Sequence, residues 1–461
     1  MNKMSHRPFR KMLLLALAAL PTLGWGQTPA STSSMQVPVT YYKLPNGLKV
    51  VLSPDKTAPT IAVGVYYNIG FRIEPKNRTG FAHLFEHMMF QGSENLGKME
   101  FIQLVQKNGG ILNGSTRFDF TNYFEVMPAH KLETALWAEA DRMRGLKITQ
   151  ENLTNQQGVV KNEVKVNVLN QPYGGFPWLD MPQYANKNWY NAHNFYGDLK
   201  DLDSAKLGDV DAFFKTFYAP NNAVLVVSGD FEVPAARQMV DKYFSKIASS
   251  QLPPPPDLTE PKQTAEQRFV KEDKLAKKPA IAVAYKMPAR NTPEYFAMGI
   301  IDQILVQGQD SRLYQQLVQT KGYTNSVSGG INFALGNMYD YNGPMLWMSN
   351  LIYDSTLAPD SIIAEYDKAI ANLANVTNED LQMALVKIRS GLYDAMGGNF
   401  GIGKVNLLAC FALFDNDPNR INNLENEFKK VTPELIRRTV QNYLTPTNRT
   451  ILIIDPKAPK A

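Results

Sequence analysis

Two histidines four residues apart, with a glutamate just before the second, are the side chains of this sequence best suited to chemistry. They are His83, Glu86 and His87, within the stretch Gly80–Ser93. On a helix, residues four apart lie on nearly the same face, so both imidazoles can bind one metal ion. Glu86 is then close enough to take a proton from a water molecule. The order His-x-x-Glu-His therefore predicts metal-assisted hydrolysis.

A third ligand is needed, because catalytic zinc usually has three protein ligands and one open position. The other histidines are unsuitable, lying in the N-terminal leader or in turn-rich segments: His6, His130 and His193. The predicted helix Gln150–Leu169 offers Glu151 and Glu163. Apolar neighbours of Glu163 favour an inward direction, where an unpaired carboxylate is costly and a cation would remove that cost. The residues alone favour Glu163 modestly and leave Glu151 open.

The elements around the histidine pair are predicted from periodicity and turn residues. Ile61–Tyr67 alternates like a strand, and a polar loop over Asn68–Thr79 follows. Thr79 is the predicted N-cap of the helix with the histidines. Ile111–Phe118 and Asn122–Met127 are predicted to pair as a hairpin.

The second half of the chain repeats the first. Three stretches recur in the same order about 220 to 228 residues later, and each pairs with its counterpart as follows: Thr60–Gly64 with Ala280–Ala284, Ile148–Leu153 with Val376–Leu381, and Tyr218–Val227 with Tyr443–Ile454. The pattern predicts a tandem duplication of one α/β unit. The histidine motif corresponds to Asp302–Val306, which has no ligand set. The chemistry is therefore predicted in the first repeat.

The N-terminus is typical of a secretory signal. Basic residues in Met1–Lys11 precede the apolar run Met12–Leu20, and small residues near Gly26 suit cleavage before Gln27. The apolar run is short for a bilayer span, so no stable membrane anchor is expected after cleavage. We expect a periplasmic or secreted protein. The predicted organisation is a signal peptide (1–26), a flexible lead-in (27–40), a catalytic repeat (41–248), a Pro-rich linker (249–262) and a non-catalytic repeat (263–461).

Composition excludes several classes of protein. The formal net charge of +5 falls to about +1 once the basic leader is removed. The remaining chain therefore has no strong positive electrostatic field that would attract nucleic acid. The length of 461 residues favours two or more domains, and a hydrophobic content of 44% is ample for packed cores. Cys410 is the sole cysteine, so no intrachain disulfide can form.

These motifs together resemble the M16 family of zinc peptidases, the group of pitrilysin, insulin-degrading enzyme and mitochondrial processing peptidase, and most of all its shorter bacterial members with two repeats. The resemblance runs from Tyr41 to the C-terminus. Besides the histidine motif, it rests on Val159–Val164, Gly109–Tyr123 and Tyr218–Asp230. It implies an α+β fold of two homologous repeats, each a mainly antiparallel sheet with helices packed on it (LuxS/MPP-like), enclosing a cleft.

The resemblance also implies roles for individual residues. One zinc ion per chain would be held by His83, His87 and Glu163, with Glu86 as the general base. An edge strand near Asn113 would bind the substrate by strand addition. The implied activity is endopeptidase hydrolysis of peptides or unfolded polypeptide segments, with no nucleic acid as partner.

Two departures from the family pattern keep an alternative open. Many members have a second Glu seven residues before the ligand Glu, where this chain has Gln156. The family also uses an Arg and a Tyr of the second repeat to hold substrate, whereas Tyr339–Tyr353 contains no Arg. Some bacterial relatives act in pairs, so a homodimer or heterodimer with another M16 chain is open. The alternative function is a scaffold or peptide-binding subunit of an M16 heterodimer, inactive without its partner.

Overall fold

The fold is described by a computed structural model over residues 36–398 and 401–456. The predicted signal peptide and most of the predicted lead-in lie outside these residues. Within the described ranges, no single helix is long and apolar enough to cross a membrane.

The first sheet is formed by strands of the first half of the chain: β1 (Thr40–Lys43), β2 (Lys49–Pro54), β3 (Thr60–Tyr67), β4 (Ile111–Thr116), β5 (Thr121–Pro128) and β6 (Ala223–Gly229). Their order is β1-β2-β6-β3-β5-β4, which leaves β4 at one edge. The β2–β6 pair is parallel, and the remaining pairs are antiparallel.

The second sheet repeats this topology with β7 (Gln267–Asp273), β8 (Ala280–Lys286), β9 (Ser328–Ile331), β10 (Leu346–Ile352) and β11 (Arg449–Pro456). Its order is β7-β11-β8-β10-β9, with a parallel β7–β11 pair. This matches β2-β6-β3-β5-β4 strand for strand, so β9 is the counterpart of the edge strand β4. The predicted α+β class and the predicted duplication are confirmed.

Helices pack on both sheets. Those of the first half are α1 (Phe81–Met88), α2 (Glu100–Lys107), α3 (Leu132–Arg144), α4 (Gln150–Val164), α5 (Met181–Ala185), α6 (Trp189–Ala192), α7 (Leu199–Ser204), α8 (Leu207–Phe217) and α9 (Val233–Phe244). Those of the second half are α10 (Pro293–Leu305), α11 (Pro359–Ala371), α12 (Asn378–Gly397), α13 (Ile402–Cys410), α14 (Leu424–Lys429) and α15 (Pro433–Tyr443). Wider helical turns occupy Lys165–Leu169, Tyr314–Thr320 and Phe411–Asp415.

Both faces of the first sheet are buried. Residues of α1, α3, α4 and α8 share an apolar core with one face. The other face is covered by α13 and its continuation, where Val405 and Phe411 pack with Tyr66 and Val226. Burial on two sides explains why β3 and β6 are nearly continuous runs of apolar residues. A helix of the second half thus completes the core of the first.

A buried carboxylate holds the start of α1. Glu74 accepts hydrogen bonds from the backbone N–H groups of Gly80 (2.9 Å) and Ala82 (2.6 Å), and a negative charge there also suits the helix dipole. The predicted Thr79 N-cap is wrong. Gly80 takes the cap position with a left-handed φ of +81°, and the Thr79 hydroxyl instead donates to Asp201 at 2.6 Å.

His193 supports this carboxylate. Its Nδ1 lies 3.1 Å from the Trp189 carbonyl oxygen, and its Nε2 contacts the Phe71 carbonyl oxygen and lies 3.6 Å from Glu74 Oε2. Both ring nitrogens therefore face acceptors, which suits the imidazolium form. Burial lowers the pKa of His193, but the Glu74 carboxylate and the two carbonyl oxygens outweigh burial, so the pKa is raised.

A buried ion pair ties the two halves together near α1. Arg72 Nε lies 2.8 Å from Asp119 Oδ1, and both side chains are buried. Arg72 also donates to the Pro344 carbonyl oxygen at 2.6 Å, and Asp119 accepts from the Asn342 backbone N–H at 2.7 Å. Both members of the pair therefore bind the loop between β9 and β10.

Replacing Arg72 by Leu would leave the Asp119 carboxylate buried without its cation. We expect the free energy of unfolding, measured by urea denaturation, to fall by about 3 kcal/mol or more. Arg78→Leu is the matched control, because Arg78 pairs with Asp209 at a partly exposed site and should lose about 1 kcal/mol or less. Equal losses in the two variants would contradict this account.

The raised pKa of His193 predicts a pH-dependent stability. The contribution of the imidazolium is complete below the ordinary histidine pKa of 6.5 and is lost as pH rises through the raised pKa of the folded state. The difference in unfolding free energy between the unaltered protein and His193→Gln, both metal-free, should therefore shrink with rising pH. Urea titrations at several pH values would measure it, and a difference independent of pH would refute the assignment.

Candidate metal centre

The helix α1 presents both histidines of the motif from a rigid position. Its buried apolar residues, Phe81, Leu84, Phe85 and Met88, fix it in the first core. His83 is 2% exposed and His87 is 23% exposed at the side chain. Their Nε2 atoms are 3.2 Å apart, as expected for residues one helical turn apart that point to a common centre.

Glu163 approaches the histidines from α4. Thr149 caps this helix by accepting from the Asn152 backbone N–H at 3.2 Å. Leu153 and Val160 bury one face of α4 in the same core as α1. Glu163 follows Val160 by almost one turn, at the rim of the core, with 28% of its side chain exposed. Packing of α1 against α4 thus determines where the carboxylate lies.

The three side chains form a site of the size that zinc requires. Glu163 Oε2 lies 3.6 Å from His83 Nε2 and 3.3 Å from His87 Nε2. Zinc bonds of about 2.0–2.1 Å in a tetrahedron place neighbouring ligand atoms roughly 3.3 Å apart. The observed triangle matches this separation on all three sides. Among the residues that the structure describes, no other group of three or more His, Cys, Asp and Glu side chains is close enough to hold a metal ion.

The electrostatics of Glu163 suit a ligand. Partial burial raises the pKa of Glu163, but hydrogen bonds and charges of His83 and His87 outweigh burial and hold the pKa well below its usual range. The carboxylate form therefore persists across the physiological range. The other carboxylate oxygen, Oε1, accepts a hydrogen bond from the Tyr196 hydroxyl at 3.2 Å.

Glu86 lies beside the ligands and is held by the edge strand. The Thr116 hydroxyl, at the end of β4, donates to Glu86 Oε2 at 2.8 Å. A Cβ at Gly114 would lie 3.4 Å from Glu86 Cγ, so the same face of β4 approaches the glutamate at two positions. One Glu86 oxygen is thus engaged by Thr116, and the half-buried carboxylate stays next to His87.

Asn113 lies on this edge strand with an exposed side chain. Its Oδ1 accepts from the Gly114 backbone N–H at 2.9 Å. Because side chains alternate along a strand, Asn113 points to the face of β4 opposite to Thr116. The backbone of β4 therefore lies nearer to Glu86 than the amide of Asn113 does.

Within the described residues, the other candidate ligands do not join this cluster. Glu151 is exposed in the first turn of α4, and His130 is exposed after β5. Gln156 is buried and donates to Asn155 Oδ1 at 2.8 Å. His193 instead serves the Glu74 cap.

The second repeat has a buried carboxyl group, Asp302, within the stretch that corresponds in sequence to the histidine motif. Asp302 in α10 is buried and accepts from Trp347 Nε1 at 2.8 Å and from the Gln307 amide at 3.1 Å. Burial raises the pKa of Asp302 to about 7, although both donors lower it. Asp302 lines a cavity together with Gln307 and Gly330, and no second metal-binding cluster accompanies it within the described residues.

Sequence reasoning missed three residues that support the site: Glu74, Thr116 and Tyr196. Thr116 lies within a stretch already singled out for the edge strand, so its position facing Glu86 could have been inferred from strand alternation. Glu74 and Tyr196 carried no spacing signal, because the turns that bring them to α1 and Glu163 are irregular.

Two family models match the chain. Residues 49–188 match "Insulinase (Peptidase family M16)", and residues 204–387 match "Peptidase M16 inactive domain". The first match contains His83, His87 and Glu163, and the second runs from the end of the first repeat into the second repeat and contains none of these residues.

Individual relatives agree with these matches. The zinc protease PqqE of Helicobacter pylori is 29% identical over 323 residues, which cover 69% of this chain and 71% of that protein. The mitochondrial-processing peptidase subunit beta of Saccharomyces cerevisiae is 22% identical over 391 residues, 81% of this chain and 82% of that one. A crystal structure of a protease from Helicobacter pylori superposes with a TM-score of 0.84 at 23% identity, covering 91% of this chain and 100% of that chain. The chain belongs to the M16 peptidase family, in its short form of two domains.

Proposed function

We propose that this protein is an exported zinc-dependent endopeptidase that hydrolyses peptides or unfolded polypeptide segments. The observation that carries the proposal is the triangle of His83, His87 and Glu163, with Glu86 held beside it. The family membership of the chain supports the same chemistry.

Zinc, when bound, would polarise the scissile carbonyl group and lower the pKa of a water molecule. His83, His87 and Glu163 would hold it from one side. Partial exposure of His87 and Glu163, against the burial of His83, leaves the opposite side accessible to substrate.

Glu86 is the proposed general base. It would take the proton of the attacking water and deliver it to the leaving amine, as a carboxylate within hydrogen-bond reach can do. The hydrogen bond from Thr116 engages one oxygen of Glu86 and leaves the other for the water. Thr116 thereby keeps the carboxylate in one orientation.

The substrate class follows from the edge strand. The outer side of β4 has no neighbouring strand within the described residues, so its backbone can pair with an added chain. Strand addition requires an extended backbone, which peptides and unfolded segments supply and folded domains do not. Asn113 would lie beside such a strand as a substrate-binding residue.

Glu86→Gln should keep zinc and lose peptide turnover by about a hundredfold or more, because the base is removed and the ligands remain. Glu163→Gln is the matched contrast and should lose zinc. Metal analysis and cleavage of a quenched peptide library, with and without chelator, measure both effects. Undiminished turnover by Glu86→Gln would refute the role of Glu86.

A second candidate function is a peptide-binding or scaffold subunit that is inactive without a partner M16 chain. The match of residues 204–387 to an inactive domain favours it, since this match runs from the end of the first repeat into the second and contains none of the proposed ligands. The same library assay separates the candidates. Turnover by the isolated chain supports the peptidase, whereas zinc binding with turnover only after addition of a co-purified chain supports the subunit.

We also propose export with cleavage after Gly26, on the strength of the basic and apolar leader in residues 1–26. Expression of the full chain in a bacterial host, with N-terminal sequencing of the periplasmic protein, tests this. The expected first residue is Gln27, and a protein retained in the cytoplasm with its leader intact would contradict export.

A further inference from the structure

The two oxygens of the Glu163 carboxylate have different partners. Oε2 faces the imidazoles of His83 and His87. Oε1 accepts from the Tyr196 hydroxyl at 3.2 Å. The orientation of Oε2 toward the metal centre is therefore coupled to the position of one phenol group.

The ring of Tyr196 is fixed by its packing. The residue is 5% exposed and shares a small apolar cluster with Val164 and Leu179. Its ring centroid lies 5.1 Å from that of His83 and 6.2 Å from that of Trp178, both nearly edge-on. A ring held on several sides delivers its hydroxyl to one place and loses little further freedom when it donates.

The backbone around Tyr196 is clamped against the start of α1. A Cβ at Gly80 would lie 2.5 Å from the Tyr196 carbonyl oxygen, so the two segments are in close contact. Gly197 has a φ of +68°, and the Asp198 backbone N–H donates to Thr79 Oγ1 at 2.8 Å. The backbone of Tyr196 is therefore held against the start of α1, while its side chain contacts the Glu163 carboxylate on α4.

We propose that Tyr196 is a positioning residue for the third metal ligand, and that its hydroxyl sets the zinc affinity of the site by holding Glu163 toward the histidines. This inference rests on the proposed zinc centre. Without the hydroxyl, the carboxylate of a partly exposed Glu can rotate away from the imidazoles. Hydrogen bonds from outer residues to metal ligands typically change metal affinity about 10- to 100-fold.

In this contact the Tyr196 hydroxyl is the donor, because the Glu163 carboxylate can only accept.

The test is Tyr196→Phe, which removes the hydroxyl and keeps the ring. We expect the zinc dissociation constant, measured by competition with a chromogenic chelator, to rise about tenfold. The thermal midpoint of the metal-free protein should stay unchanged, while the upward shift produced by zinc should shrink. Tyr190→Phe is the matched control, because this tyrosine belongs to the same aromatic segment and packs on Trp189 away from Glu163.

Two results would overturn the inference: an unchanged zinc dissociation constant, or a metal-free midpoint that falls as much as the zinc-loaded midpoint. The second result would assign Tyr196 a purely structural role. In the peptide assay, added zinc should restore the turnover of Tyr196→Phe. If the unaltered chain binds zinc but cleaves no peptide, the proposed function fails. A tenfold loss of zinc affinity in Tyr196→Phe would still support the positioning role.

Discussion

The candidate metal centre depends on the carboxylate of Glu74, which is buried at the first turn of α1. A helix as short as α1 has little stability of its own, so its position must come from its ends and its packing. Glu74 satisfies two backbone N–H groups, and His193 balances the charge that this burial would otherwise leave uncompensated. With α1 fixed, the separation of the two imidazoles is set by helical geometry alone. The position of the third candidate ligand, Glu163, is not fixed by α1, because this residue comes from α4.

The duplication shows which features belong to the fold and which to the chemistry. Five strands of the first sheet and all five of the second share one order and one parallel pair, so these features do not need a metal. The corresponding stretch of the second repeat, Asp302–Val306, has a buried carboxyl group at Asp302 and no histidine. The donors Trp347 and Gln307 satisfy this group within the protein, as a buried polar group requires. One fold therefore holds a candidate ligand set in one copy and a buried, hydrogen-bonded carboxyl group in the other.

Much of this arrangement could be predicted from the sequence. The pairing of His83 and His87 could be predicted, because residues four apart lie on the same face of a helix. The repeats are readable because apolar strands recur in order. The residues alone favoured Glu163 over Glu151 only modestly. The structure separates them: Glu151 is exposed in the first turn of α4, whereas Glu163 Oε2 lies 3.3 Å from His87 Nε2. Tyr196 was beyond prediction, since it reaches Glu163 through an irregular segment.

The packing of α13 on the first sheet affects how the chain can fold while it is being synthesised. The last strand of that sheet, β6, ends at residue 229, and α13 begins at residue 402. An apolar face of the first sheet therefore stays largely uncovered until most of the second repeat has been made. The first repeat has all its strands, but it needs α13 of the second half to bury this face of its sheet. A fragment that contains only the first repeat would expose the apolar face of its sheet that α13 normally covers, and such a face promotes aggregation.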